Sequence, residues 1–296
     1  EIDILVNLNG YFGNMRQEVF AMGPCPINVN FLGFPGTLGA NYFDYLIADK
    51  IVIPENSKQY YSEKIIYLPN SYQPNDDKKI FVKQLSKKDH GLPDGSEFIF
   101  CSFNNSYKIT PDFFEIWMRI LKSVNSSVLW LLESNPYASF NLKDEASRRG
   151  VNADRIIFAK RLPYEEHLCR HQLADLFLDT LPYNAHTTAS DALWSGLPVL
   201  TCLGNTFPGR VASSLLNAIN LPELITTSLV QYENLAIELA KNPNNLLDIR
   251  EKLKKKDFSN QLVNFDWQLS MIEKEKESTS QHKLDNVEIS MKFNSY

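Results

Sequence analysis

Three donor-bearing side chains in a row, His186-Thr187-Thr188, head the run Asn184-Ala185-His186-Thr187-Thr188-Ala189-Ser190-Asp191-Ala192-Leu193-Trp194-Ser195-Gly196. They follow an apolar strand-like run at 174–178 and the turn-like Leu181-Pro182-Tyr183, and precede the apolar Ala192, Leu193 and Trp194. A helix should therefore begin among them. The first turn of a helix has backbone N–H groups without intrahelical partners and a partial positive charge, so it favours an anion. Two hydroxyls and an imidazole at that place suit a phosphate. The same residues admit a plainer reading, in which Thr187 or Thr188 caps the helix and His186 is an ordinary loop histidine. The stretch alone leaves both readings open.

Other polar residues fall in comparable places. Ligands of an open parallel sheet bind beyond the carboxyl ends of its strands. After a strand at 98–103 comes Asn104-Asn105-Ser106-Tyr107-Lys108. After a strand at 155–159 comes Leu162-Pro163-Tyr164-Glu165-Glu166-His167, with Arg170 one turn beyond. Lysine offers a point charge, while arginine and histidine offer planar partners for a base or a phosphate. Three loops converging on one sheet edge point to a phosphorylated ligand. Earlier, Gly33-Phe34-Pro35-Gly36-Thr37-Leu38-Gly39 could let backbone approach a ligand closely, or could be a tight turn.

Several chemistries lack their residues. No GxxxxGK[ST] phosphate loop and no G-x-S-x-G elbow occurs. His167 and His171 are spaced i, i+4, but no third ligand is placed to complete a metal site. A net charge of −5 over 296 residues excludes the basic excess expected of a nucleic-acid-binding protein. The apolar runs are too short for a membrane helix, and no signal peptide opens the chain. The four cysteines, Cys25, Cys101, Cys169 and Cys202, are scattered as in a cytoplasmic protein with reduced thiols.

The elements that must position these residues read as alternating strands and helices, hence parallel sheets covered on both faces. Strands are predicted at 2–8, 27–32, 44–49 and 64–68, with helices at 16–22 and 54–61. The pattern weakens from 69 to 97, where a domain boundary is expected. A second alternation has strands at 98–103, 127–132, 155–159, 174–179 and 197–202. Its helices start at Thr110, near 142, at Pro163, at Thr188 and at Arg210. Phe113, Phe114, Trp117, Ile120 and Leu121 share one helix face and read as core. Helices are expected at 229–240, 246–255 and 259–274, then a polar tail over 275–296. Because the chain opens at Glu1 directly into an apolar strand, an upstream part is expected to be missing.

Runs spread over residues 1–255 resemble the O-linked N-acetylglucosamine transferase family, whose members have the GT-B fold. They include Ile4-Leu5-Val6-Asn7-Leu8-Asn9-Gly10, Phe31-Leu32-Gly33-Phe34-Pro35-Gly36-Thr37 and Phe103-Asn104-Asn105-Ser106-Tyr107-Lys108-Ile109. Glu165-Glu166-His167, His186-Thr187-Thr188, Asp191 and Leu193-Trp194-Ser195-Gly196 match as well. The resemblance implies two Rossmann-like domains with parallel sheets, the first incomplete. Residues 1–90 would belong to the acceptor-side domain and 91–274 to the nucleotide-sugar domain. It implies inverting transfer of N-acetylglucosamine from UDP-GlcNAc to Ser or Thr hydroxyls of a protein or peptide, with no metal or other cofactor.

On that resemblance Lys108 is the catalytic residue that stabilises departing UDP, and His186, Thr187 and Thr188 hold the diphosphate. His167 and Arg170 flank the uracil, the Leu162–Pro163 backbone reads its edge, Asp191 lies near the ribose and phosphates, and Asn105, a shorter amide where the family often has glutamine, belongs to the nucleotide- and diphosphate-binding set. Gly33, Pro35, Gly36 and Thr37 line the sugar and acceptor side. Tyr164 departs from a lysine found in some relatives. The family's tetratricopeptide repeats and an acceptor-side histidine are absent from residues 1–296, which alone should transfer little. Alternatives are another donor such as GDP-fucose, or a nucleotide-sugar-binding scaffold without catalysis.

Overall fold

The computed structural model describes residues 2–75, 81 and 85–254. The chain divides into two compact units, which part between Asn75 and Asp76, inside the weak stretch at 69–97. The expected helix at 259–274 and tail at 275–296 lie outside the described residues.

The first unit is a four-stranded parallel sheet, β1 (Ile4–Asn7), β2 (Ile27–Asn30), β3 (Tyr45–Asp49) and β4 (Lys64–Leu68), in that spatial order. Helix α1 (Gln17–Ala21) joins β1 to β2, and the segment expected as a helix at 54–61 is a 3-10 turn, Glu55–Tyr60. Side chains finish the strands where the ladder cannot. Asn7 Oδ1 accepts from Asn9 N and Gly10 N, each at 3.0 Å, and buried Asp49 accepts from Ile51 N and Val52 N at 2.8 and 2.9 Å. These turns satisfy backbone donors that would otherwise be lost at the strand ends. Phe20, Leu38 and Phe43 form a small apolar cluster.

The second unit is a doubly wound α/β sheet. Its six parallel strands are β5 (Phe98–Ser102), β6 (Ser127–Leu132), β7 (Ile156–Ala159), β8 (Leu176–Leu178), β9 (Val199–Cys202) and β10 (Ile225–Thr226). Their spatial order is β7-β6-β5-β8-β9-β10, so the winding reverses between β5 and β8. Connecting helices are α2 (Pro111–Ser123), α3 (Pro136–Arg148), α4 (Tyr164–Arg170), α5 (Thr187–Trp194) and α6 (Val211–Ala218). Two more follow, α7 (Leu229–Lys241) and α8 (Pro243–Lys254). Helix α2 starts as its sequence requires: Pro111 fills the first turn and Thr110 accepts from Phe113 N. Its stripe Phe113, Phe114, Trp117, Ile120 and Leu121 is buried, each such apolar side chain contributing about 1.5–3 kcal/mol relative to exposure.

Helix α3 begins six residues before the expected start near 142. Asn135 caps it and Pro136 opens it, but Tyr137 and Phe140 point to solvent and blur the amphipathic period. The two-residue strand β10 is too short to show in sequence. Beneath the site, Trp117 Nε1 donates to the Tyr232 hydroxyl at 3.3 Å, which donates to the Asp179 carbonyl at 2.9 Å. Thus α2 and α7 brace the end of β8.

Candidate functional site

At the reversal between β5 and β8 two loops leave the same sheet edge side by side. They are tied through buried polar groups: Asn104 Nδ2 donates to Thr180 Oγ1 at 3.0 Å, and Thr180 Oγ1 to Tyr183 O at 2.8 Å. Asn184 Nδ2 donates to Thr180 O at 2.8 Å. Asp179, wholly buried at the end of β8, accepts from Ala185 N at 2.6 Å, Thr201 Oγ1 at 2.7 Å and Thr180 N at 2.8 Å. Burial pushes its carboxyl up to about 6, with those hydrogen bonds and the charge of Lys108 pulling it back. This carboxylate fixes both ends of the loop that leads into α5.

Lys108 ends a 3-10 turn, Ser106–Lys108, in the loop after β5. Its ammonium donates to Asn184 O at 2.8 Å and lies 4.4 Å from the centre of the Tyr183 ring. Burial brings its pKa down to about 8, opposed by Asp179. His186, not a threonine, occupies the cap position of α5, and its side chain caps nothing. The first intrahelical bonds run from Ala189 N and Ser190 N to His186 O, each at 3.0 Å. The N–H groups of Thr187 and Thr188 precede them and are the ones an anion can claim. The threonine-capping alternative is thereby set aside.

His186 is less of a donor than expected. Burial lowers its pKa to about 4, and Nε2 lies 3.1 Å from Pro208 O. A carbonyl only accepts, so in the neutral ring Nε2 carries the proton and Nδ1 keeps a lone pair.

The loop after β7 and helix α4 supply the third side. His167 is half-buried, and burial, helped by His171 and Arg170, lowers its pKa to about 3. Arg170 stands beneath the cleft rather than at its rim. It is fully buried, donates from Nη1 to Lys160 O at 2.6 Å, and lies 4.5 Å from the centre of the Phe103 ring. Burial lowers its pKa to about 10. Tyr164 donates its hydroxyl to Oδ1 of buried Asp191 at 2.9 Å, tying α4 to α5. Asn105, Lys108, Leu162, His167, Arg170 and Thr188 line one cleft of about 370 Å³, together with Tyr164 and Arg161. Pro163, His186, Thr187 and Asp191 flank it without being lining residues.

Three contributors escaped sequence reading. Asp179 and Asn184 are buried polar groups at loop ends, and Tyr183 looked like a turn residue. The only sequence signal was a carboxylate closing an apolar strand just ahead of a polar loop.

Gly33, Pro35, Gly36 and Thr37 share a loop of the first unit. Thr37 Oγ1 donates to Glu63 Oε2 and Leu38 N to Glu63 Oε1, both at 2.6 Å, and Glu63 is buried. A Cβ at Gly33 would overlap the Leu8 carbonyl oxygen, so the close backbone approach there is to the chain itself. Asn30 Nδ2 holds Gly36 O at 3.3 Å, and Pro35 is half-buried. Among the described residues no three His, Cys, Asp or Glu side chains are placed to hold a metal ion. No described helix is long and apolar enough to cross a membrane.

Parallel α/β units in tandem, the second wound like a dinucleotide-binding domain with cationic and hydroxyl groups at its switch point, place the chain in the GT-B fold class. The family model described as Glycosyl transferase family 41 matches residues 1–88 and 82–271. The chain belongs to that family. It is 41% identical over 261 residues to a probable UDP-N-acetylglucosamine–peptide N-acetylglucosaminyltransferase, SEC, of Arabidopsis thaliana, covering 86% of this chain and 27% of the relative. It is 27% identical over 364 residues to the UDP-N-acetylglucosamine–peptide N-acetylglucosaminyltransferase of Caenorhabditis elegans, covering 85% and 32%. A mutant O-GlcNAc transferase of Thermobaculum terrenum superposes with a TM-score of 0.80 at 30% identity, over 94% of this chain and 52% of that one. The chain thus spans 27–32% of the length of these two curated relatives.

Proposed function

We propose that the second unit binds UDP-GlcNAc and that the protein to which this chain belongs transfers N-acetylglucosamine to Ser or Thr hydroxyls of proteins, with inversion and without a metal. The observation that carries the reading is the Lys108 ammonium held beside the start of α5, where Thr187 and Thr188 present their N–H groups. The acceptor hydroxyl oxygen forms a bond to the sugar C1 and releases its proton to solvent as the bond from C1 to the β-phosphate oxygen breaks, and that electron pair leaves with UDP. Lys108 and the helix start stabilise the charge that develops there, which is stronger in the transition state than in the bound donor.

Asn105, Asp191 and Tyr164 lie toward the ribose. His167 and the Leu162–Pro163 backbone hold the uracil. Arg170 serves from below, anchoring the Lys160 carbonyl at the exit of β7. The names of the relatives, all UDP-N-acetylglucosamine–peptide transferases, support the donor and the acceptor class.

Calorimetric titration of the chain with UDP and GDP tests the donor: UDP should bind more tightly, and preference for GDP would move the reading to another donor. In the full-length protein Lys108→Ala should slow the chemical step by about 2–4 kcal/mol, the size of a lost transition-state contact. An unchanged step would refute the role of Lys108, and binding of the donor without any turnover would favour a scaffold.

A further inference from the structure

One aromatic ring at this site has no part in the reaction as written. Tyr183 lies midway in the loop between β8 and α5 and is half-buried. Its ring centre is 4.4 Å from the Lys108 ammonium and 4.7 Å from the centre of the His186 imidazole, with only 21° between the two ring planes. A group from the loop after β5 and a group heading α5 therefore share one aromatic plate. The loop that carries it is anchored from several directions. Thr180 Oγ1 donates to Tyr183 O at 2.8 Å, Asn184 N donates to Pro208 O at 2.9 Å, and His186 Nε2 meets the same carbonyl at 3.1 Å. The Tyr183 hydroxyl makes no hydrogen bond among the described residues, so the ring face is what the structure uses.

We propose that Tyr183 is a positioning residue for the diphosphate: its ring holds the Lys108 ammonium and the His186 imidazole at a fixed spacing beside the head of α5. The inference rests on the reading of the cleft as a diphosphate site. A lysine side chain has four rotatable bonds, and its hydrogen bonds to Asn184 O at 2.8 Å and Asn104 Oδ1 at 3.5 Å fix where its ammonium reaches but not how the stem approaches. The electron-rich ring face attracts a poorly solvated cation and supplies a further restraint. When a diphosphate arrives, the ammonium exchanges Asn184 O for phosphate oxygen and keeps the ring. An aliphatic side chain of similar size fills the space but offers neither a quadrupole for the cation nor a plane for the imidazole.

The test uses the whole 296-residue chain, titrated with UDP and with uridine, for wild type, Tyr183→Phe, Tyr183→Leu and Tyr183→Met. The phenylalanine variant should bind UDP within about twofold of wild type. The leucine and methionine variants should bind it roughly fivefold to tenfold more weakly, the range of a cation–π contact to a partly desolvated ammonium. Uridine, which has no phosphate, should bind all four proteins alike. Thermal melting shows which variants are folded, and having two aliphatic replacements keeps the comparison if one is not. Wild-type UDP affinity in a folded aliphatic variant overturns the proposal, as does equal loss of UDP and uridine. Failure of the wild type itself to bind UDP overturns the diphosphate reading, and this inference with it.

Discussion

Lys108→Met keeps the side-chain length and removes the charge, and the structure sets opposite signs for its effects on stability and on ligand binding. Burial lowers the Lys108 pKa from 10.5 to about 8. At ~1.36 kcal/mol per pH unit, keeping the ammonium charged in the folded protein costs on the order of 3 kcal/mol relative to the unfolded chain. Part of that is screened because the lysine is only half-buried. The variant also forfeits the hydrogen bond to Asn184 O and the contact with the Tyr183 ring, together roughly 1–2 kcal/mol.

The balance is a ligand-free protein stabilised by about 1 kcal/mol at pH 7, a rise in Tm of about 2–4 °C for a unit of this size. The folded state binds this proton less tightly than the unfolded chain. Wild-type stability should therefore rise between pH 8 and pH 10.5, while the variant lacks this component. UDP affinity should fall in the variant at pH 7, where the wild-type lysine is charged. Thermal melts across pH 7–10.5 and UDP titration at pH 7 measure all three effects. A variant clearly less stable at pH 7, or a stability difference that does not narrow as pH rises, would refute the reasoning.

The carboxylate under the loop has the opposite linkage. Asp179 is raised from 3.8 to about 6, so its contribution is fully present below 3.8 and is lost as pH rises through 6. Asp179→Asn should abolish roughly 2–3 kcal/mol of stability change over that window while keeping an oxygen for Thr180 N and Ala185 N; denaturant melts at pH 4 and pH 7 that change equally in both proteins would contradict it. In the first unit, Gly33→Ala should destabilise by about 1–3 kcal/mol, because the new methyl overlaps Leu8 O. Chemical denaturation reports that loss, and a neutral alanine variant would show that the backbone there gives way.

Much of the scaffold was legible because its signals are local. The strand at 127–132 matches β6 residue for residue, and Thr110-Pro111 opens α2 through bonds within four residues. The misreadings arose where an element's apolar side does not face the core. Tyr137 and Phe140 are 82% and 73% exposed, which hid the first turns of α3. Among the site residues, Asn105, Lys108, Leu162, His167, Arg170 and Thr188 were found from the rule that parallel strands present ligands at their carboxyl ends, and they do line one cleft. The chemical state of each was not legible. Arg170 lies beneath Phe103 and binds a carbonyl, and the Nε2–H of His186 is already engaged as a hydrogen-bond donor to Pro208 O.

By itself the sequence determined the alternation of strands and helices, the family, and which side chains reach one sheet edge. Residue type and period decide those matters over a few turns of chain. The order β7-β6-β5-β8-β9-β10 was decided only in three dimensions, and with it the pairing of the loops after β5 and β8. That pairing brings Lys108 to Asn184 across 76 residues of chain and sets Asp179 beneath both loops. Burial and charge at such a junction depend on every element packed around it. They convert an ordinary lysine and aspartate into groups that titrate near neutrality, and a turn tyrosine into the plate between a cation and an imidazole.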